Sequence, residues 1–293
     1  MKLGLHLNDF AWPVQPDQVG PTLSAVARAA EGAGFDTIAV MDHVWQHPMM
    51  GGPEQPVLEC YATLAYLAAH TSRARLIALA TPVSYRFAGM LVKTVTALDV
   101  LSGGRAWLGI GVGDYEEEAR GLGIPFPGTT ERYALMEETI QACLSMWKGE
   151  HGDDEPFEGS HVRMDRPLNL PQSLSRPHPP ILIAGSGERR TLPLVARYAD
   201  ACNLRPGPDL PRTLQTLRTL CEAEGRDFES IEKTCPWRFD VGRDGRGVDS
   251  LIEQLHGFAE MGIDTVIGRV IDEYRIEPIE IMAREVIPAV MDF

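Results

Sequence analysis

Pro179-Pro180-Ile181-Leu182-Ile183-Ala184-Gly185-Ser186-Gly187-Glu188-Arg189-Arg190-Thr191-Leu192 joins a short aliphatic run to a turn of small residues and then to a helix start. Ile181–Ala184 reads as a buried strand, and the Gly185-Ser186-Gly187 turn opens a helix that continues to Tyr198. A strand, a glycine turn and a helix N-terminus leave backbone N–H groups free. They also aim the positive end of the helix dipole at one point. The expectation is an anion pocket, lined by Ala184, Gly185, Ser186 and Gly187, of a size for a phosphate.

Working outward, the same strand-then-helix unit recurs along the chain. Strands are expected at Leu3–Leu7, Thr37–Met41, Arg75–Ala80, Ala106–Val112, Ile181–Ala184, Ala201–Leu204, Thr234–Asp240 and Thr265–Ile267. Helical patterns follow them at Thr22–Ala33, Leu58–Thr71, Leu91–Leu101, Glu131–Trp147, Arg189–Tyr198, Leu210–Ala223, Val248–Met261 and Pro278–Met291. Short apolar strands alternating with amphipathic helices describe a parallel sheet covered by helices. Eight such units predict an α/β fold, a (β/α)8 TIM barrel, as one domain over residues 1–293. The proline-dense stretch 151–180 cannot hold a helix interior and reads as an insertion before strand 5. The rival is an open doubly wound sheet. Against it, no Gly-x-Gly-x-x-Gly follows strand 1.

Composition narrows the function. The net charge of −14 argues against nucleic acid or an anionic membrane as partner, because both need a basic face. No apolar run is long enough to span a bilayer. The five cysteines are scattered, with no C-x-x-C pair and no zinc-site spacing, so no metal is expected. Scattered cysteines of this kind and a first strand unlike a signal peptide fit the cytoplasm.

In such a barrel the chemistry lies at the C-terminal ends of the strands. Strand 2 runs out into Asp42-His43-Val44-Trp45. This reads either as a capping Asp with a packed His, or as a hydrogen-bonding group and a proton carrier beside a planar ligand. Strand 3 leads through Thr81-Pro82 to Ser84-Tyr85-Arg86. Strand 4 ends Gly109-Ile110-Gly111-Val112-Gly113-Asp114-Tyr115-Glu116-Glu117-Glu118. Alternating glycines there signal close approach of a ligand or of another backbone. Asp114 and Glu117 are the candidate acid–base groups; Glu116 and Glu118 read as solvated surface charge.

Several of these runs resemble the luciferase-like flavin monooxygenase superfamily. They are Asp42-His43, then Thr96-Ala97-Leu98-Asp99-Val100-Leu101-Ser102-Gly103-Gly104-Arg105 leading into Leu108–Gly113, then Arg176–Ile181 and Val195–Asn203. The Ala184-Gly185-Ser186-Gly187-Glu188-Arg189-Arg190-Thr191-Leu192 form of the turn resembles the coenzyme F420-dependent branch. The resemblance implies a barrel binding a 5-deazaflavin on its C-terminal face and moving a hydride between its C5 and a small organic substrate. It implies that Asp42 contacts the ring's polar edge, that His43 is the proton carrier, and that Ala78-Leu79 forms a bulge behind the ring, often with a non-prolyl cis peptide. By the same resemblance Thr81 hydrogen-bonds the ring, Gly113 and Asp114 border the substrate, and the chain is a homodimer. Two positions depart from the family pattern. Phe87-Ala88 follows Tyr85-Arg86 where Asn/His-Pro is usual, and Asp114 stands where related sugar-phosphate dehydrogenases carry a Glu.

Hydride transfer needs a planar acceptor held against a substrate carbon, water excluded, and one group to carry a proton. His43 has an intrinsic pKa suited to that last role. The alternatives are an FMN-dependent two-component monooxygenase of the same superfamily, which Arg189 and Arg190 would suit, and a barrel that binds a ligand without turnover. Trp45, Met49, Met50, Tyr85, Phe87 and the 151–180 excursion are expected to wall a pocket for an apolar or aromatic molecule.

Overall fold

The computed structural model describes residues 1–242 and 244–293. Eight parallel strands close on themselves: β1 (Lys2–Leu7), β2 (Thr37–Val40), β3 (Arg75–Ala78), β4 (Ala106–Gly111), β5 (Ile181–Ala184), β6 (Ala201–Asn203), β7 (Glu232–Phe239) and β8 (Thr265–Val270). Each strand pairs with the next, and β8 returns to β1 through Lys2↔Thr265 to Leu5↔Gly268. The helices are α1 (Val19–Ala33), α2 (Cys60–Ala68), α3 (Ala88–Ser102), α4 (Glu116–Gly121), α5 (Thr129–Met146), α6 (Thr191–Tyr198), α7 (Leu210–Glu224), α8 (Val248–Glu260), α9 (Glu277–Ile281) and α10 (Ile287–Val290). The (β/α)8 TIM barrel expected from the sequence is the fold.

Strand period sorts the side chains into two cores. On β1, Leu3, Leu5 and Leu7 pack outward among the helices. Inside the barrel, Ala39, Ile77, Leu79, Leu182, Ala201 and Ile267 fill the centre. The N-terminal end of the barrel is plugged by charge. Arg75 donates to both oxygens of Glu232 at 2.7 and 2.9 Å, bonds Asp36, and lies over the Trp107 ring at 4.5 Å.

The barrel is irregular between β3 and β4. The two strands pair at Leu76↔Ala106 and Ile77↔Trp107. The chain then bulges through Ala78–Ala80, with a cis peptide at Leu79-Ala80, and rejoins β4 at Thr81↔Ile110 and Pro82↔Gly111. A Cβ on Gly109 would collide with the Ala78 carbonyl oxygen. This is the close backbone approach that the glycine alternation signalled. Gly109→Ala is therefore expected to cost about 3 kcal/mol of stability in urea unfolding, because the clash is with rigid backbone. Wild-type stability in that variant would contradict the close approach.

The signature run on α3 proves architectural. Asp99, fully buried, accepts from Leu174 N at 2.7 Å, Ser175 N at 2.9 Å and Ser175 Oγ at 2.8 Å, so it anchors the 151–180 excursion. Gly103 caps α3 in the left-handed region at φ 75°. Arg105 donates to the carbonyls of Ala68, Thr71, Ala74 and Ser102, tying α2 and α3 to β4. The excursion carries a short hairpin, Phe157–Glu158 against Arg163–Met164. Val162 packs with Ala88 and Ala142, and Glu138 of α5 accepts from Ser160, His161 and Val162 N. These contacts lie along the outer layer of α3 and α5.

One boundary also differs. The last helix is not continuous from 278 to 291: α9 gives way to a π turn, Met282–Val286, before α10. Pro288 lacks the N–H that a continuous α-helix would use there. All five cysteines are unpaired and buried. Among the described residues no helix is long and apolar enough to cross a membrane.

Candidate active site

The C-terminal mouth gathers the ends of β2, β3, β4 and β5. β2 delivers Asp42 and His43. Asp42 is buried and receives Arg86 through two bonds, at 2.5 and 3.0 Å. Arg86 also donates to Glu59 at 2.6 Å and lies 4.6 Å over the Tyr61 ring. Burial pushes the Asp42 carboxyl upward, and the Arg86 guanidinium pulls it back. The Thr81 hydroxyl is buried and shared with Tyr61 OH at 2.8 Å. Asp42 and Thr81 thus sit in one buried network behind the mouth.

His43 is only 17% exposed, and its Nδ1 stands 2.7 Å from Glu118 Oε2. Glu118 is fully buried. Its Oε1 accepts from Val44 N at 2.5 Å and Trp45 N at 2.8 Å, and Tyr85 OH donates to Oε2. The reading of Glu118 as surface charge is overturned, and the site contains a carboxylate that the sequence reading passed over. A signal was present. Glu116 and Arg120 pair at 2.6 Å across one helical turn and so mark the solvent face of α4. Glu118 lies two residues on, turned about 200° away.

The two acids singled out from sequence stand elsewhere. Asp114 is exposed at the rim, near enough for its charge to act on His43. Glu117 is exposed and lines an open surface depression with Trp45, Glu116, Arg120 and Gly121. The structure therefore does not bring Glu117 to His43; the helix register gives that place to Glu118. Met49 and Phe87, expected as pocket walls, are 87% and 88% exposed.

Burial opposes a charge on His43, yet the Glu118 bond and the nearby charges of Glu118, Asp114 and Asp42 outweigh it, and its pKa is raised. Burial likewise opposes ionised Glu118, but the bonds from His43, Trp45 N and Tyr85 prevail and its pKa is lowered. A raised histidine contributes its stability fully below its unfolded pKa of about 6.5 and loses it as pH rises through the folded value. The stability gap between wild type and His43→Gln is thus expected to be full below about pH 6.5 and to shrink as pH rises above it in urea titrations. A gap independent of pH would contradict a charged His43–Glu118 pair.

At the end of β5, Gly185 has φ 124°, which disfavours any other residue. Its N–H goes to Asn203 O at 2.9 Å, and Gly187 O accepts from Arg190, Thr191 and Leu192 N. Among the described residues, the N–H groups of Ser186, Gly187, Glu188 and Arg189 have no protein acceptor. The Ser186 hydroxyl accepts from Arg205 N at 2.7 Å and pins the turn to the next loop. A Cβ at Gly187 would stand 2.9 Å from Thr191 Oγ1 and 3.3 Å from Tyr133 OH. The turn thus presents a cradle of backbone donors that could receive an anion. A Cβ added to Gly111 would meet Ala184 and Ala80 at 3.8–3.9 Å, so only small residues face one another at this end of β4 and β5 and form its floor. Gly113, at φ 77°, turns the chain out of β4 at the same rim. The implied bulge residues Ala78 and Leu79 are buried beside this floor, with the cis bond one residue later than Ala78-Leu79. A floor of small residues beside a cradle of backbone donors could hold a planar cofactor carrying a phosphate.

Comparison with known proteins agrees with this geometry. The model of the luciferase-like monooxygenase family matches residues 5–262. The F420-dependent glucose-6-phosphate dehydrogenase of Nakamurella multipartita is 30% identical over 250 residues, 80% of this chain and 69% of that protein. In fold, monooxygenase RslO1 from Streptomyces bottropensis matches with a TM-score of 0.81 at 20% identity, covering 98% of this chain and 99% of that one. A solved F420-dependent secondary alcohol dehydrogenase matches with a TM-score of 0.80 at 17% identity, covering 99% and 98%. The chain belongs to the luciferase-like monooxygenase family and is an enzyme.

Proposed function

We propose that the enzyme is a coenzyme F420-dependent oxidoreductase acting on a small organic substrate. The observation that carries this reading is one mouth holding both a backbone anion cradle and a buried histidine–carboxylate pair. The named dehydrogenase relative supports the choice of coenzyme. When bound, the deazaflavin would supply the carbon that takes or gives the hydride.

The chain's own residues supply the rest. Ser186 to Arg189 would hold the phosphate through their N–H groups. Ala80, Gly111 and Ala184 would let the ring lie flat. Asp42, paired to Arg86, fixes the loop after β2, with Thr81 tied into the same network, so both would act on the ring's polar edge from a fixed place. Glu118 occupies His43 Nδ1 and leaves Nε2 as the atom that exchanges a proton. Asp114 at the rim would border the substrate. His43→Ala is expected to lower kcat by about 100-fold or more with F420 affinity within a few fold, the size of a lost acid–base group. Unchanged kcat would remove His43 from the mechanism.

FMN, with a two-component monooxygenase reaction, is the competing reading. Against it, Arg190 is already engaged with Thr130 Oγ1 at 2.9 Å and with the Tyr133 ring. We also read the protein as a cytoplasmic homodimer. Five unpaired buried thiols support a reducing compartment. Exposed Phe87, Met90, Leu101 and Leu170, on and beside α3, support self-association. Light scattering on purified protein should give twice the chain mass; a monomer would contradict this.

A further inference from the structure

Buried polar atoms without a partner cost about 1–3 kcal/mol each, so a cluster of them marks a place built to meet something else. Among the described residues, the side-chain atoms of this kind are His6 Nε2, Asn8 Oδ1, Ser84 Oγ, Tyr115 OH, Asn169 Oδ1, Arg269 Nε and Glu273 Oε2. All but Asn169 lie at or beyond the C-terminal ends of barrel strands. Four of them come from two neighbouring strands and the loops that follow. Leu5 pairs with Gly268, so His6 and Arg269 stand side by side at the top of β1 and β8. Asn8 follows His6, and its carbonyl accepts from Gln46 Nε2 at 3.1 Å, which joins this corner to the loop that carries His43. Glu273 is buried above β8, with Oε1 taking the Trp12 indole N–H at 3.3 Å.

The charges in this corner are already spent. Arg269 is neutralised by Asp9 at 2.7 Å. Arg238, beside Arg269 in the strand register, pairs with Asp240 at 3.0 Å, and Arg86 belongs to Asp42 and Glu59. His6 is kept neutral: burial first, then the charges of Arg269 and His43, lower its pKa to about 4. Burial raises Glu273 to about 7. What remains is a set of uncommitted donors and acceptors with no free positive charge. A phosphate or carboxylate placed here would be desolvated without a free counter-charge and would face the Asp9 carboxylate. An alcohol or carbonyl group can use both kinds of partner at no such cost.

We propose that His6, Asn8 and Arg269 form the substrate subsite of this mouth and accept an uncharged hydroxyl or carbonyl group, so that the enzyme takes neutral alcohols or ketones over phosphate esters and carboxylates. The proposal deepens the oxidoreductase reading above and rests on it for the position of the reacting carbon.

Matched pairs test it: 2-propanol against lactate, and glucose against glucose 6-phosphate. Each compound is assayed with F420 and, separately, by saturation-transfer NMR on the protein with and without coenzyme. The neutral member of at least one pair should show saturation transfer, and its kcat/KM should exceed that of its charged partner by about 10-fold or more, roughly the effect of one uncompensated charge. Asp9→Asn keeps the shape and frees the Arg269 charge, so it should narrow the preference by about 10-fold. Asn8→Ala should raise KM for the neutral substrate more than it lowers kcat. A preference for the charged member, an Asp9→Asn preference equal to wild type, or no saturation transfer from any neutral compound would overturn the subsite. Failure of F420 to bind would instead count against the coenzyme reading. The NMR comparison without coenzyme then still decides the subsite, which ordered water alone could not make selective for one member of a pair.

Discussion

Glu118→Gln should cost about 100-fold in kcat, near 2.7 kcal/mol of barrier, while F420 affinity stays within a few fold. Glutamine keeps the volume, and its oxygen can still accept from Val44 N and Trp45 N. Its amide nitrogen then faces His43 Nδ1 and Tyr85 OH, where the carboxylate now accepts two hydrogen bonds. An amide cannot stabilise a protonated imidazole, so His43 loses its main reason to carry a charge near neutrality. The pH profile of kcat should accordingly move to the acid side as well as fall. This second readout separates positioning from a loss of fold, because partial unfolding would lower the rate without moving the profile. An unchanged profile would show that Glu118 serves structure only.

Gly185→Ala should weaken F420 binding by about 100-fold and leave kcat at saturating coenzyme close to wild type. The residue stands at φ 124°, and its added Cβ would meet Thr191 Cγ2 at 3.3 Å. Relief of that strain rotates the peptide planes that aim the Ser186 to Arg189 N–H groups. The loss should appear in the dissociation constant read by fluorescence titration. Affinity equal to wild type would mean that the phosphate is held elsewhere.

These two residues also show how far the sequence reaches. Gly185 was legible because a strand, a glycine turn and a helix start are local patterns, and the eight-fold repetition of the strand–helix unit carried the barrel with it. Glu118 was not legible as a partner of His43, because that depends on which way a six-residue helix is rotated when it docks. Three adjacent glutamates carry no periodicity of their own, and the Glu116–Arg120 spacing is the one hint of which face meets solvent. Asp42 was legible as a site residue, but its pairing through both oxygens with Arg86, forty-four residues away, is one that no local pattern announces. The run from Leu98 to Arg105 identified the family, yet its Asp99 and Arg105 serve helix caps and the excursion, not chemistry. The excursion was visible as a proline-rich break, but its docking onto α3 and α5 depends on Asp99, Thr96 and Glu138, which lie 12 or more residues outside it.

The central claim is that this barrel mouth is built for a deazaflavin. Purified protein titrated in parallel with oxidised F420 and with FMN, followed by quenching of intrinsic tryptophan fluorescence, tests it most directly. F420 should quench saturably at roughly micromolar concentrations or below, and FMN should bind about ten times more weakly or worse. Tight binding of FMN alone would contradict it and assign the site to the flavin monooxygenases.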